Sequence, residues 1–149
     1  MIHYNYSRVL LSGHKIKSNL QELTAENRII LFQKATLHQQ LEASYWLFRE
    51  FNENYLEMGK KTIKEVYNCI NHHFTGGNSM YLYIGQNERV WGVIGLDYNN
   101  HEPIICNLLV IPQVRGLGLA KKLLRFAESE IMESKFNQVK LWCSKSLLD

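Results

Sequence analysis

The segment 108–124 contains the residues best suited to bind a ligand. It is composed of an apolar strand, a proline, a turn that holds Gly116 and Gly118, and the start of an amphipathic helix. A glycine-containing turn that leads into a helix leaves several backbone N–H groups unpaired at the positive end of the helix dipole. Glycines also let the backbone come close to a ligand, because no Cβ stands in the way. This pattern predicts a binding site for a pyrophosphate group.

The same segment resembles the acetyl-CoA signature of the GNAT (Gcn5-related N-acetyltransferase) superfamily, which is Q/R-x-x-G-x-G/A between a strand and a helix. Two registers fit, Arg115-x-x-Gly118-x-Ala120 and Gln113-x-x-Gly116-x-Gly118. We favour the first, because Pro112 then lies at the family's usual distance before the arginine. The resemblance covers roughly residues 29–143 and implies acetyl-CoA as the cosubstrate, with no metal ion.

The resemblance also implies where the cofactor lies. In the family, the strand before the signature splays away from the strand that follows the next helix, and pantetheine lies between them. The cofactor-binding residues carried over to this chain are Leu109, Val110, Arg115, Gly116, Leu117, Gly118, Leu119 and Ala120. The backbone of the first two would bind pantetheine, and one N–H group, assigned to Val110, would polarise the thioester carbonyl. The Arg115 side chain would add positive charge at the pyrophosphate.

Acetyl transfer to an amine also requires a base, because only the neutral amine attacks the thioester. A carboxylate or an imidazole near the amine can take its proton, directly or through a water molecule. Asp97, His101 and Glu102 are the candidates, and of these we select Asp97 and Glu102 as catalytic residues. Cys106 and Asn107 stand on the strand where some small-molecule members of the family carry carboxylates.

Composition narrows the class of protein. The 149 residues are 46% hydrophobic and 21% charged, which predicts one globular domain. The net charge of +3 suits an anionic ligand, but no block of Lys and Arg indicates a nucleic-acid partner, and no apolar run is long enough to indicate a membrane partner. Three dispersed cysteines favour a reducing, cytoplasmic location. Cys69, His72 and His73 lack further ligands nearby for a metal site.

Hydrophobic periodicity predicts the element order β-α-α-β-β-β-α-β. This is the family's order up to its fifth strand, so the resemblance implies an α/β (α+β) fold with a mixed, mainly antiparallel sheet flanked by helices. The predicted strands are 29–34, 80–84, 90–98, 104–111 and 139–143, and the predicted helices begin after Thr36, after Thr62 and at Gly118. Thr36 with Gln39 and Thr62 with Glu65 form capping boxes. In the first helix, the apolar stripe consists of Leu37, Leu41, Tyr45 and Phe48.

Family members usually add a further helix, with a tyrosine that protonates the CoA thiolate, and two more strands. The sequence has no counterpart of that tyrosine after residue 143. We therefore divide the chain into a leader, 1–28, and a GNAT domain, 29–149, that is short at its C-terminal end. The leader contains strand-like residues together with Tyr4 and Tyr6, which are candidate proton donors. An exposed strand edge attracts such a segment, so we expect it to add to the sheet of its own or of a neighbouring subunit, and we expect a homodimer with an exchanged or intertwined segment.

The acceptor is predicted from a short segment. The run 135–143 resembles the same segment of glucosamine-6-phosphate N-acetyltransferases, in which a Lys-apolar-Asn run leads into a Lys-bearing strand that ends in Cys. Those enzymes are short, intertwined homodimers. The resemblance implies a small-molecule amine, with glucosamine 6-phosphate as the best specific acceptor. The alternatives are a protein, peptide or polyamine acetyltransferase, or a non-catalytic CoA-binding regulatory domain.

Overall fold

Six strands form one sheet, and three helices cover its faces, in the computed structural model, which describes residues 4–9, 27–54, 61–98, 102–134 and 138–143. The strands are β1 (Tyr4–Val9), β2 (Arg28–Leu31), β3 (Ser79–Ile84), β4 (Val90–Asp97), β5 (Ile104–Val110) and β6 (Gln138–Cys143). The helices are α1 (Leu37–Asn54), α2 (Ile63–His73) and α3 (Leu119–Glu133). The predicted order of elements in the 29–143 region is confirmed.

The strands lie in the order β1-β6-β5-β4-β3-β2. Neighbouring strands are antiparallel except β5 and β6, which run parallel. The α3 helix connects β5 to β6, as a parallel pair requires a crossover. The sheet is therefore mixed and mainly antiparallel, as the resemblance to the family implies.

Two hydrophobic cores lie on opposite faces of the sheet. On one face α3 buries Leu119, Leu123, Ala127 and Ile131 against the strands. On the other face α1 and α2 bury Ala43, Leu47, Val66 and Ile70. Side chains of β5 alternate between the two cores, with Leu108 and Val110 on the α3 face and Leu109 on the α1 and α2 face. The end of β5 is therefore held from both sides.

The predicted helix caps are present. Gln39 N–H donates to Thr36 Oγ1 over 3.1 Å, and Thr36 N–H donates to Gln39 Oε1 over 3.0 Å, so the first capping box is reciprocal. At α2, Glu65 N–H donates to Thr62 Oγ1 over 3.1 Å. These bonds satisfy backbone donors that a helix start leaves without partners.

Most of the predicted stripe on α1 does not face the core. Leu37, Leu41 and Tyr45 are 61%, 42% and 39% exposed, and of the stripe only Phe48 packs against the core, partly buried. The buried residues of α1 are Gln39, Ala43, Ser44 and Leu47. The reason is the polar docking of α1 on the hairpin of β3 and β4. Gln39 Nε2 donates to the Glu88 carbonyl oxygen over 3.0 Å, and this contact rotates a face of small and polar residues toward the sheet.

The strand predicted at 29–34 is shorter than expected. It ends at Leu31, and Phe32–Lys34 form a single 3-10 turn. The Phe32 side chain is fully buried in the core beside α1 and α2. Ile30 packs against the same core, so Phe32 keeps the face that strand alternation gives it although it lies in the turn.

The predicted leader contributes strand β1, which pairs with β6 of its own chain along six positions, from Tyr4↔Cys143 to Val9↔Gln138. Exchange of this strand between two subunits stays a prediction. None of the helices in the described ranges is long and apolar enough to cross a membrane.

Candidate active site

A gap opens between β5 and β6. Their parallel pairing covers only Ile104↔Lys140 and Ile105↔Leu141, supported by a hydrogen bond from Lys140 N–H to the Pro103 carbonyl oxygen, 3.1 Å long. Both strands continue beyond these pairs, β5 to Val110 and β6 to Cys143. The continuing part of β5 therefore has one backbone edge that β6 does not cover.

A β-bulge in β5 marks the place where the two strands part. Val93 pairs with Leu109 and Gly95 pairs with Cys106, so β5 holds one residue more than β4 in this interval. Asn107 has a φ of +53°, in the left-handed region that asparagine tolerates better than most residues. A bulge bends its strand and strengthens the local twist. The bulge thus turns the second half of β5 away from the line of β6.

Hydrogen-bond alternation shows which backbone groups of β5 face the gap. Ile111 N–H donates to the Trp91 carbonyl oxygen over 3.0 Å. Because bonded positions alternate in an antiparallel pair, Leu109 pairs with Val93, whereas Leu108 and Val110 point away from β4. The Val110 carbonyl oxygen accepts instead from Arg115 Nε, 2.9 Å away. Leu108 and Val110, rather than Leu109, therefore present their backbone groups to the gap.

The signature turn lies beside the mouth of the gap. Pro112–Val114 form a 3-10 turn, after which Gly116 and Gly118 adopt φ values of +84° and +82°. Gly118 is the N-cap of α3, and the helix's first internal bond runs from Lys122 N–H to the Gly118 carbonyl oxygen over 3.2 Å. The amides before Lys122 in the first turn therefore have no acceptor within the helix.

This turn fits an anionic cofactor. A Cβ added at Gly116 or Gly118 would meet no described atom within 4 Å, so the backbone here borders open space. Unpaired amides, a helix N-terminus and the Arg115 guanidinium all favour negative charge at this place. The positions predicted from Arg115 to Ala120 thus lie together at the start of α3 and suit the pyrophosphate of acetyl-CoA.

Arg115 connects the turn to the end of β5, since its guanidinium binds the Val110 carbonyl. We expect Arg115→Ala to raise the KM for acetyl-CoA about tenfold, because the change removes a charge from the turn and a charge-assisted bond. Arg115→Lys should recover only part of the loss, because lysine cannot reproduce the forked donor geometry. Steady-state kinetics at varied acetyl-CoA measures both, and an unchanged KM in Arg115→Ala would remove Arg115 from the cofactor site.

The two predicted bases lie near the closed end of the gap. Asp97 pairs with Ile104 across the sheet, and its Oδ2 atom lies 3.1 Å from His73 Nε2. The Glu102 carboxylate lies 3.9 Å from Lys140 Nζ. His101 lies outside the described residues. The partner of Asp97 was missed by sequence reasoning, which considered His73 only as a metal ligand.

Cys106 occupies the point where β5 leaves β6. Its Sγ would lie 2.9 Å from a Cβ added at Gly95, beside the Phe74 ring. Burial and, secondarily, the charge of Asp97 raise the pKa of the Cys106 thiol to about 12. A raised thiol pKa means that the neutral form persists at physiological pH, so this thiol is a poor nucleophile.

We therefore expect Cys106 to resist alkylation by iodoacetamide at pH 8 in the folded protein, while the exposed Cys69 reacts. Peptide mass spectrometry after timed labelling distinguishes the two sites. Unfolding in urea should make Cys106 react at the rate of Cys69. Equal labelling of both cysteines in the folded protein would contradict the raised pKa of the Cys106 thiol.

A cavity of about 220 Å³ adjoins the signature turn and was not predicted from the sequence. Its lining consists of Trp46, Arg49, Glu50, Glu53, Leu109, Pro112 and Arg115. The first four belong to α1, and the other three belong to the end of β5 and to the turn. The cavity thus lies on the α1 side of the strand whose open edge faces the gap.

The predicted proton donors lie on β1. Tyr4 pairs with Cys143, beyond the last pair of β5 with β6, so its backbone position flanks the part of β6 that borders the gap, whereas Tyr6 pairs with Leu141, which is itself paired with Ile105. Their side chains lie outside the described residues. Within the described ranges, no group of three His, Cys, Asp or Glu side chains is arranged to hold a metal ion.

Solved structures with this fold include several acetyltransferases. A GNAT-family acetyltransferase from Staphylococcus aureus Mu50 is 19% identical, with a TM-score of 0.59 over 77% of this chain and 72% of that one. A predicted acetyltransferase from Clostridium acetobutylicum, solved with acetyl-CoA, is 17% identical, with a TM-score of 0.58 over 80% of each chain. A functionally unknown conserved protein from Staphylococcus epidermidis is 11% identical, with a TM-score of 0.63 over 97% of this chain, which spans 52% of that protein.

These similarities concern the fold. No curated protein matches the sequence. The family model described as the acetyltransferase (GNAT) family matches residues 38–148, which contain α2, α3, all of α1 but its first residue, the bulged strand and the signature turn. The chain therefore belongs to the GNAT family of acetyltransferases.

Proposed function

We propose that this acetyl-CoA-dependent N-acetyltransferase joins donor and acceptor in one ternary complex, in which a primary amine attacks the thioester directly. The observation that carries the proposal is the open edge of β5 beyond Ile105, next to a turn with two left-handed glycines. An extended pantetheine chain can pair with such an edge as a strand does. Acetyl-CoA supplies an activated acetyl group whose CoA leaves as a thiolate.

The residues on both sides of the gap can supply a hydrogen-bond donor for the thioester, a base for the amine and a proton donor for the thiolate. The Val110 N–H group points into the gap and can donate to the thioester carbonyl oxygen as negative charge develops there. The amine nitrogen loses a proton to a base, an N–C bond forms, the C–S bond breaks, and the thiolate takes up a proton. We assign the base to Asp97, held by His73, or to Glu102; because both lie at the closed end of the gap, six positions along β5 from Val110, the proton would reach either carboxylate through water molecules. We assign the proton donor to Tyr4 or Tyr6.

Two classes of acceptor are supported by different observations. A phosphorylated amino sugar, with glucosamine 6-phosphate as the specific case, is supported by the resemblance of the run 135–143 and by the net charge of +3. A cationic amine without phosphate is supported by the carboxylates in the cavity beside α1. If the acceptor is the phosphorylated amino sugar, we further propose that the protein is a cytoplasmic homodimer in which the leader is exchanged.

Release of free thiol from acetyl-CoA tests the function. The acceptors are glucosamine 6-phosphate, glucosamine, 1,4-diaminobutane and a lysine-containing peptide, assayed in parallel. We expect thiol release that depends on one acceptor and a matching N-acetylated product. Acetyl-CoA binding without release for any acceptor would contradict catalysis and favour a regulatory CoA-binding domain.

A further inference from the structure

The cavity beside α1 has one wall from the helix and one from the cofactor strand. Glu50 and Trp46 lie one turn apart on α1, and Leu109 lies opposite them. Leu109 stands between Leu108 and Val110, the two residues whose backbone groups face the gap. A molecule held in the cavity therefore contacts Leu109, whose two neighbours on β5 border the gap.

The charges of the lining are unequally compensated. Arg49 Nη2 lies 3.1 Å from Glu53 Oε1, and its guanidinium stacks 5.6 Å from the centre of the Trp46 ring. The Arg115 guanidinium, which also lines the cavity, donates to the Val110 carbonyl oxygen and stands next to the signature turn. Among the residues that the structure describes, none forms an ion pair with Glu50, which is partly buried.

This distribution selects the charge of an occupant. In the proposed complex the Arg115 charge is paired with the pyrophosphate of the cofactor. The remaining charged residues of the lining are then two carboxylates and one guanidinium. The ion pair of Arg49 with Glu53 is internally neutral, so Glu50 contributes a negative charge that no other described residue compensates, beside the apolar surfaces of Trp46 and Leu109. A partly buried carboxylate next to apolar walls attracts an ammonium ion on an alkyl chain and repels a phosphate.

We propose that this cavity is the acceptor site and that it takes an alkyl primary amine of net positive charge, with Glu50 as the counter-ion of its ammonium group. Trp46 and Leu109 contact the methylene chain. The inference rests on the proposed transferase function and, between the two acceptor classes, favours the cationic amine over the phosphosugar.

Binding and kinetics of Glu50→Gln test the proposal, with 1,4-diaminobutane as the probe. Calorimetry measures diamine binding to protein saturated with CoA, and thiol release gives the KM values. We expect Glu50→Gln to weaken diamine binding and raise its KM about tenfold to thirtyfold, with the KM for acetyl-CoA unchanged, because a charge-assisted hydrogen bond is lost. Glu50→Asp should recover part of the loss.

Glu65→Gln is the matched control, since Glu65 is an exposed carboxylate on α2 and does not line the cavity. It should bind and turn over the diamine like the unchanged protein. Equal diamine affinity in Glu50→Gln would overturn the site, and turnover of glucosamine 6-phosphate without turnover of diamines would overturn the acceptor class while leaving the transferase intact. Absence of CoA binding would instead refute the transferase function itself.

Discussion

Replacement of Gly118 by glutamate should abolish acetyl-CoA binding while the protein stays folded. Gly118 has a φ of +82° at the N-cap of α3, and open space surrounds its Cα. The new carboxylate would lie at the pyrophosphate position and would strain the left-handed backbone. We expect the Kd for CoA to rise by about 100-fold or more, from like-charge repulsion and backbone strain together. Calorimetric titration with CoA measures the change.

Gly118→Asn is the appropriate control for this substitution. Asparagine tolerates a positive φ and carries no charge, so CoA affinity should fall much less than in Gly118→Glu. Circular dichroism and thermal melting should show that both variants are folded. Unchanged CoA affinity in Gly118→Glu would show that the turn is not the pyrophosphate site.

Among the substitutions proposed here, replacement of Gly85 by alanine should lower the free energy of unfolding most. Gly85 has an ordinary φ of −105°, so only the lack of space matters. A Cβ added there would overlap the indole ring of Trp91, which stacks on Tyr83 with ring centroids 6.2 Å apart. Displacement of this stack should cost about 2 to 3 kcal/mol, which corresponds to a fall in Tm of about 5 to 10 °C in a chain of this size.

Gly77→Ala provides the comparison, because a Cβ at Gly77 meets no described atom within 4 Å and the residue has no positive φ. Its Tm should change little. The double variant Gly85→Ala, Trp91→Leu should lose less than the sum of its single changes, because the alanine then has no ring to displace. Strict additivity would show that the stability loss does not arise from this contact.

The sequence predicts the order of the elements well because local chemistry determines them. Alternation and runs of apolar residues locate β3, β4 and β5, and capping residues locate the starts of α1 and α2. The signature turn is predictable for the same reason, since the φ values of Gly116 and Gly118 depend on residue type at that position. Neither requires knowledge of distant contacts.

Predictions from the sequence differ from the structure where a contact between residues far apart in the chain determines the local arrangement. The large apolar residues of α1 form a helical stripe, yet the bond from Gln39 to Glu88 directs another face toward the sheet. The backbone direction of Leu109 depends on the extra residue that the bulge at Asn107 inserts. An asparagine within an apolar strand is a signal that could have indicated this bulge.

The candidate site is predictable only in part for a related reason. Residues Arg115 to Ala120 are contiguous, so a motif finds them. Glu50 and Leu109 are 59 positions apart, and the pair of His73 with Asp97 spans 24 positions. No spacing in a single sequence brings such residues together, because the packing of α1 and α2 on the sheet does so.

The pairing of β1 with β6 has a consequence for the order of folding. The first described strand finds its partner only after residue 138 has been synthesised, so this edge of the sheet is the last to close on the ribosome. Contacts of such long sequence separation cost loop entropy before they stabilise anything, and they slow folding. The pair of β1 and β6, which borders the gap on the side opposite β5, therefore forms at the end of folding. We expect the amides of β6 to be the last of the sheet to gain protection in pulse-labelled hydrogen exchange during refolding.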